Sequence, residues 1–231
     1  MLAMKPKGKI RIVWSATFAY AIGLLTSDGN LSPSGRHINF TTKDEELARH
    51  FLTSLGIPHH HIGRKARGGN LAERKYFCVQ FGDVLFYRFL VEMGLCPNKS
   101  KRLGVLRIPD EFFSHFLRGL FDGDGTTYSY WDKRWRSSHM VYTGFASASP
   151  VFLRWLQSKI ADLYGIQGAI NGYQKPHVEQ LIFAKNASKA LATVLYHDAG
   201  DLFLTRKHLK LFQALSIVAP PNNTNARVEK R

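Results

Sequence analysis

The sequence predicts an α+β protein made of two αββαββα halves, and three observations carry that prediction. First, two stretches share one shape. Residues 21–29 read AIGLLTSDG and residues 117–125 read LRGLFDGDG, each an apolar helical run closing in Asp-Gly, with Asp28 and Asp124 96 residues apart. Second, the same order of helical and alternating patterns follows each stretch. Third, a segment rich in Lys and Arg, LCPNKSKRLGVLRIP, lies between them, bracketed by Pro97 and Pro109. The expected organisation is an N-terminal half over 1–96, a linker over 97–109, a C-terminal half over 110–218 and a polar tail over 219–231.

In the first half, Ser15 is placed to cap a helix running to about Leu25. Gly29, Asn30, Pro33 and Gly35 then supply turn chemistry. RHINFTT alternates, with Ile38 and Phe40 on one face and His37, Asn39 and Thr41 on the other, as a half-buried strand does. DEELARHFLTSLG has acidic residues in its first turn and Gly56 at its stop, which suits the helix dipole. In ERKYFCVQFG, Phe77, Val79 and Phe81 share a face, opposite Arg74, Tyr76, Cys78 and Gln80. DVLFYRFLVEMG is a buried helix closed by Gly94.

The pattern restarts at Asp110. DEFFSHFLRGLF reads as a helix, and TTYSYWDKRWRSSHMVYTGFAS as two strands around a charged turn. PVFLRWLQSKIADLYG is a helix, AINGYQKPHVEQLIFA a hairpin around Lys175-Pro176, and NASKALATVLYHD a helix. A last helix, DLFLTRKHLKLFQALS, has only the linker as its counterpart in the first half. Phe40 overlays Phe145, Phe81 overlays Phe183, and LGI at 55–57 matches YGI at 164–166. One half alone would leave its sheet and first helix half-covered, so the two should share a core.

The composition narrows the function. A chain of 231 residues with 45% hydrophobic residues can bury a substantial core, which excludes wholesale disorder. Lys and Arg number 32 against 17 Asp and Glu, a formal net charge of +15 spread along the chain. A folded protein this basic suits a polyanion, because phosphate contacts release condensed counterions. Cys78 and Cys96 make neither a disulfide framework nor a metal quartet, which fits a reducing compartment. The apolar N-terminal run is interrupted by Ser15 and Thr17 and is too short to span a bilayer, so the expected location is the cytoplasm or an organellar matrix, without secretion. There is no P-loop, HExxH or Gly-rich nucleotide turn, which argues against a hydrolase of small phosphates. His59, His60 and His61 alternate in direction if extended and do not converge on one metal.

The two helix ends carry the chemistry. Gly23 and Ser27 are four apart, as are Gly119 and Gly123, so each helix offers a stripe of small residues near its C-terminus. Ala19 extends the first stripe, whereas His115 interrupts the second. Two such stripes let helices approach closely. Packed parallel, they would bring Asp28 and Asp124 together, where the helix dipoles disfavour anions. A divalent metal such as Mg²⁺ would offset that cost and leave coordination positions for phosphate.

These stretches resemble the two signature motifs of the LAGLIDADG homing endonucleases in their single-chain, two-repeat form. Thr26 departs from the pattern where the family often has Asp, and Ser27 where it has Ala or Gly. The resemblance implies a site-specific, monomeric, double-stranded DNA endonuclease. It would hydrolyse one phosphodiester on each strand with Mg²⁺ and leave short 3′ overhangs, and Ca²⁺ would bind without supporting cleavage. The motif helices would form the interface, and two antiparallel sheets would form a saddle over the DNA major groove. Asp28 and Asp124 would be catalytic metal ligands, joined by the carbonyls of Ser27 and Gly123.

By the same resemblance, further catalytic groups fall at Lys43, beside Thr42, and at Lys99 and Lys207. The counterpart of Lys43 is Ala148, flanked by Ser147 and Ser149, which implies an asymmetric site. The polar faces assign DNA contacts in the first half to Ser32, Ser34, Arg36, His37, Asn39, Arg64, Arg67, Arg74, Tyr76 and Gln80. In the second half they assign Tyr128, Tyr130, Lys133, Arg136, Tyr142, Tyr173, Gln174, Lys175 and Gln180. Two alternatives share the fold: an RNA maturase that assists intron splicing, and a DNA-binding regulator that does not cut. Retention of both motif aspartates favours the nuclease.

Overall fold

The computed structural model describes residues 8–66, 75–134, 138–172 and 178–217. Six of the expected DNA contacts, Arg67, Arg74, Arg136, Tyr173, Gln174 and Lys175, lie outside the described residues, as do the turn at Lys175-Pro176 and the tail.

Ser15 caps the first helix as expected, its Oγ accepting from the Phe18 N–H at 3.1 Å. That helix, α1, runs Ala16–Asp28, reaching the aspartate itself. It is followed by β1 (Gly29–Leu31), β2 (His37–Thr42), α2 (Glu45–Ser54), β3 (Gly63–Lys65), β4 (Tyr76–Gly82) and α3 (Val84–Glu92). The connecting segment holds 3-10 turns at Lys99–Lys101 and Asp110–Phe112. The order then repeats: α4 (Phe113–Asp124), β5 (Gly125–Trp131), β6 (His139–Ser147), α5 (Pro150–Tyr164), β7 (Ala169–Gly172), β8 (Glu179–Phe183) and α6 (Lys185–Tyr196), with α7 (Thr205–Ser216) added. Each half has one antiparallel sheet, in the orders β1-β2-β4-β3 and β5-β6-β8-β7.

The register makes the halves superimposable. Gly29 pairs with Phe40 as Gly125 pairs with Phe145, and Ile38 with Phe81 as Thr143 with Phe183. The overlays read from the sequence are therefore the topological ones. Gly56 and Gly165 both close the second helix of their half with positive φ, 72° and 67°, which glycine adopts without strain. One continuous apolar cluster spans both halves.

At its centre α1 packs on α4. A Cβ on Gly23 would fall 2.1 Å from the Phe116 carbonyl oxygen, one on Gly119 would fall 2.1 Å from that of Tyr20, and one on Gly123 would fall 1.8 Å from Ser27 Oγ. Gly23 meets Gly119 and, one turn on, Ser27 meets Gly123, so the helices are parallel and their C-termini meet. His115 does not break the seam. It is buried against Arg118, whose guanidinium is only 2% exposed. That guanidinium donates to the Leu195 and Leu202 carbonyls at 3.1 and 2.8 Å and lies 3.1 Å from His115 Nδ1. A buried charge is tolerated only when hydrogen-bonded in this way, and the network ties the α6–α7 connection to the interface.

Candidate active site

Asp28 and Asp124 are the last residues of α1 and α4. The chain passes directly from each into the first strand of its sheet, which leaves both carboxylates between the two sheets. By accessible surface Asp28 is half-buried and Asp124 exposed. Both nonetheless lie low in a cleft where protein displaces most surrounding water. This desolvation pushes the Asp28 carboxyl up to about 7, helped by the charge of Asp124 and opposed by Lys207 and Lys99. Desolvation also raises Asp124, against the pull of Lys99 and Lys207.

The structure brings Lys99 and Lys207 to the two helix ends. Lys99 Nζ donates to the Ser27 carbonyl at 2.7 Å. Lys207 Nζ donates to the Phe121 and Gly123 carbonyls at 2.8 and 2.6 Å. Each lysine thus satisfies a carbonyl that the helix end leaves free, and in each case it is the carbonyl preceding the motif aspartate. Burial lowers both ammonium groups, Lys207 to about 8. Lys43 is different. It is exposed at the end of β2, with Nζ 5.7 Å from the centre of the Tyr76 ring.

The surroundings are unequal. A recess of about 580 Å³ is lined by Asp28, Lys43, Asp44, Tyr76, Gly123 and Arg206, among others. A smaller one, about 140 Å³, is lined by residues including Ser27, Lys99, Asp124, Ser147 and Ala148. Lys43 and Ala148 stand at equivalent places, three residues past Phe40 and Phe145, so only the larger recess has the extra cation.

Two features of the site were not foreseen from the sequence. Asp122 is 1% exposed and accepts from Tyr20 Oη at 2.7 Å and from the Leu204 N–H at 2.9 Å. Burial pushes its carboxyl up to about 6. A polar residue directly after Phe121, inside an apolar helix, was the available signal. Asp44 forms a two-armed ion pair with Arg206 of α7, both contacts 2.7 Å. No local pattern links residues this far apart.

The groove faces of the sheets hold many of the expected contacts. His37 and Asn39 lie on β2 and Tyr76 and Gln80 on β4, all on the side away from Ile38, Phe40, Val79 and Phe81. Ser32, Ser34 and Arg36 sit in the turn between β1 and β2, with Ser34 Oγ 3.0 Å from His37 Nδ1. In the second half Tyr142 stacks between Tyr128 and Tyr130, with ring centres at 5.2 and 6.1 Å. Lys133 is exposed beyond β5.

Two of the expected contacts sit differently from the rest. Arg64 pairs with Phe77, with its guanidinium 4.0 Å from that ring, and it is exposed where it lines a recess with Asn39, Cys78 and Gln80. Lys65, opposite Tyr76, lines that recess and also the larger one beside Asp28. Gln180 is on the groove face but only 6% exposed, its amide close over Gly144, which leaves it little open surface.

No protein-family model matches the chain, and no curated protein sequence does. Solved structures do. The homing endonuclease I-WcaI bound to its DNA recognition sequence is matched over 91% of this chain and 95% of that one, with TM-score 0.63 and 12% identity. The I-LtrWI LAGLIDADG homing endonuclease bound to target DNA is matched over 86% and 88%, with TM-score 0.55 and 10% identity. Full-length DUF199/WhiA from Thermatoga maritima is matched over 93% of this chain, with TM-score 0.53 and 14% identity; this chain spans 66% of that protein. The chain has the LAGLIDADG fold.

Within this LAGLIDADG fold, the donors at the helix ends are two carboxylates and the two carbonyls that precede them. Among the described residues, no group of three or more His, Cys, Asp or Glu side chains is placed to hold a metal ion. This donor set is one of hard oxygens. It suits a cation that completes its shell with water and phosphate, as Mg²⁺ does. Two desolvated carboxylates with raised proton affinity also favour a cation beside them. No helix among the described residues is long and apolar enough to cross a membrane.

Proposed function

We propose that the chain is a site-specific double-stranded DNA endonuclease that hydrolyses one phosphodiester on each strand, using Mg²⁺ and leaving short 3′ overhangs. The observation that carries this reading is the meeting of Asp28 and Asp124 between two sheets, each beside a lysine bound to the adjoining carbonyl. Their closeness at the paired helix ends is what cutting both strands at neighbouring positions requires. The net charge of +15 and the fold shared with nucleases bound to DNA support the same reading.

Asp28 and Asp124 would hold the metal through their carboxylates; the carbonyls of Ser27 and Gly123, which accept from Lys99 and Lys207, would join only through their second lone pair. When bound, such a metal polarises a phosphate and lowers the pKa of an attached water. The remaining roles belong to the chain. The carboxylates must be ionised. Lys99 and Lys207 place positive charge at the helix ends, where negative charge develops on the phosphate oxygens. Lys43 adds a cation on one side only. The two sheets orient the duplex in the major groove, where base edges are distinguishable. A single chain supplies both motifs and acts as a monomer.

A second reading is a protein of this fold that binds DNA without cutting. The ammonium groups of Lys99 and Lys207 on the Ser27 and Gly123 carbonyls, next to the carboxylates a metal would need, favour it. Incubation with a randomised duplex library in Mg²⁺, followed by sequencing of the ends, separates the two. Paired nicks lost in Asp124→Asn support the nuclease. Site-specific binding without any cut supports the second reading.

A further inference from the structure

The first three residues of α7 do three different things. Thr205 Oγ1 donates to Glu46 Oε1 at 2.5 Å, and Arg206 grips Asp44 through both arms at 2.7 Å. Both partners belong to the first half. Lys207 turns the other way, to the Phe121 and Gly123 carbonyls of the second motif. The other lysine is held by a related arrangement. Ser149, four residues past Phe145 as Asp44 is four past Phe40, donates through Oγ to the Leu103 carbonyl. The Leu103 N–H in turn donates to the Lys99 carbonyl at 2.8 Å. Each motif's lysine is thus carried on a segment fastened to the opposite half.

We propose that the Asp44–Arg206 ion pair is a positioning contact that sets Lys207 on the Gly123 carbonyl, so that chemistry beside Asp124 depends on the placement of the first half. The inference rests on the nuclease reading for its consequence and on geometry for its cause. Arg206 is 59% exposed in its side chain, and an exposed ion pair adds little to stability. What the pair adds is direction. A bidentate guanidinium–carboxylate contact fixes orientation as well as distance, and Arg206 and Lys207 are adjacent on one helical turn. Losing the pair leaves that turn tethered through Leu204 to Asp122 and through Thr205 to Glu46, both on the near side of Lys207, so the Lys207 side can pivot, and displacing a charged group from its working position costs far more in rate than in binding.

The test has two arms. In the first, nicking of each strand of the target duplex is timed separately for the wild type, Arg206→Ala, Lys207→Met and the swap Asp44→Arg with Arg206→Asp. Arg206→Ala is expected to slow, roughly tenfold, the same strand that Lys207→Met slows. Rates are taken at saturating protein, because Arg206 also lines the recess and its loss lowers DNA affinity by itself; the other strand should then stay within about twofold, and the swap should restore the rate. In the second arm, acetylation of Lys207 in DNA-free protein is followed by mass spectrometry with Lys99 as internal reference. Lys207 should become several times more reactive in Arg206→Ala and be protected again in the swap. Equal slowing of both strands, a swap that restores nothing, or unchanged Lys207 reactivity would overturn the proposal. A wild type that cuts no DNA removes the nuclease reading instead, while the acetylation arm still decides the contact.

Discussion

The carbonyl oxygen of Tyr20 occupies the space beside Gly119, 2.1 Å from where a Cβ would stand. Because the obstacle is backbone, it cannot rotate away, and Gly119→Ala must push α1 off α4. The expected cost is about 3 kcal/mol, at the upper end for overpacking, or roughly 6–12 °C in Tm for a chain of this size. Gly104→Ala, where nothing lies within 4 Å, should be neutral. Thermal unfolding followed by circular dichroism compares the two, and equal melting temperatures would contradict the close approach.

Tyr20 also supports the second motif through its hydrogen bond to Asp122. Tyr20→Phe leaves that buried carboxylate with one donor fewer. It should destabilise by about 2 kcal/mol, the usual range for a hydrogen bond to a charged group. Urea denaturation measures this, and an unchanged midpoint would show the bond to be replaceable.

Asp124→Asn should reduce cleavage by about a thousandfold, several kcal/mol of charge stabilisation, while target affinity falls little. Gel-based cleavage and fluorescence anisotropy with Ca²⁺ in place of Mg²⁺ read the two quantities apart. Loss of binding in parallel with cutting would assign Asp124 a folding role.

The two sheets should respond differently to salt. Lys65→Ala, on the recess, should lower the slope of log affinity against log salt by about one, the signature of one phosphate contact. Tyr142→Ala removes the middle ring of the stack and should weaken binding by about 1 kcal/mol with the slope unchanged. Salt titrations of both variants against one target decide this.

Asp28 sets a pH dependence whose sign can be worked out. Its carboxyl is pushed up to about 7 from 3.8, so the folded protein retains a proton there that the unfolded chain has released. Without metal, that contribution to stability is complete below about pH 4 and is lost as pH rises through about 7. The stability of the wild type minus that of Asp28→Asn, measured in urea with chelator present, should therefore fall between pH 4 and 8. A flat difference would mean that Asp28 is better solvated than its place in the cleft implies. Mg²⁺ must displace the same proton, so its affinity should drop as pH falls below 7.

Much of this protein was legible in sequence because the signals are local. The alternation in RHINFTT put Asn39 on one face and Phe40 on the other before any coordinates. The register bore out the overlay of Phe40 on Phe145. The spacing of Gly23 with Ser27 and of Gly119 with Gly123 anticipated a seam that ends at Asp28 and Asp124. These are properties of neighbouring residues on one helix or strand, and periodicity encodes them.

What the tertiary structure alone decided involves residues distant along the chain. Strand pairing set Lys65 opposite Tyr76, beside the Asp28 recess, because which face a residue shares depends on its partner across the sheet. Neighbours covered Gln180. The buried Asp122 required Tyr20 and Leu204, and Asp44 required Arg206, partners that no local spacing announces. Their placement follows from how two copies of one unit close around a shared helix pair. The sequence by itself determined the elements and the motif; only packing determined which charges meet.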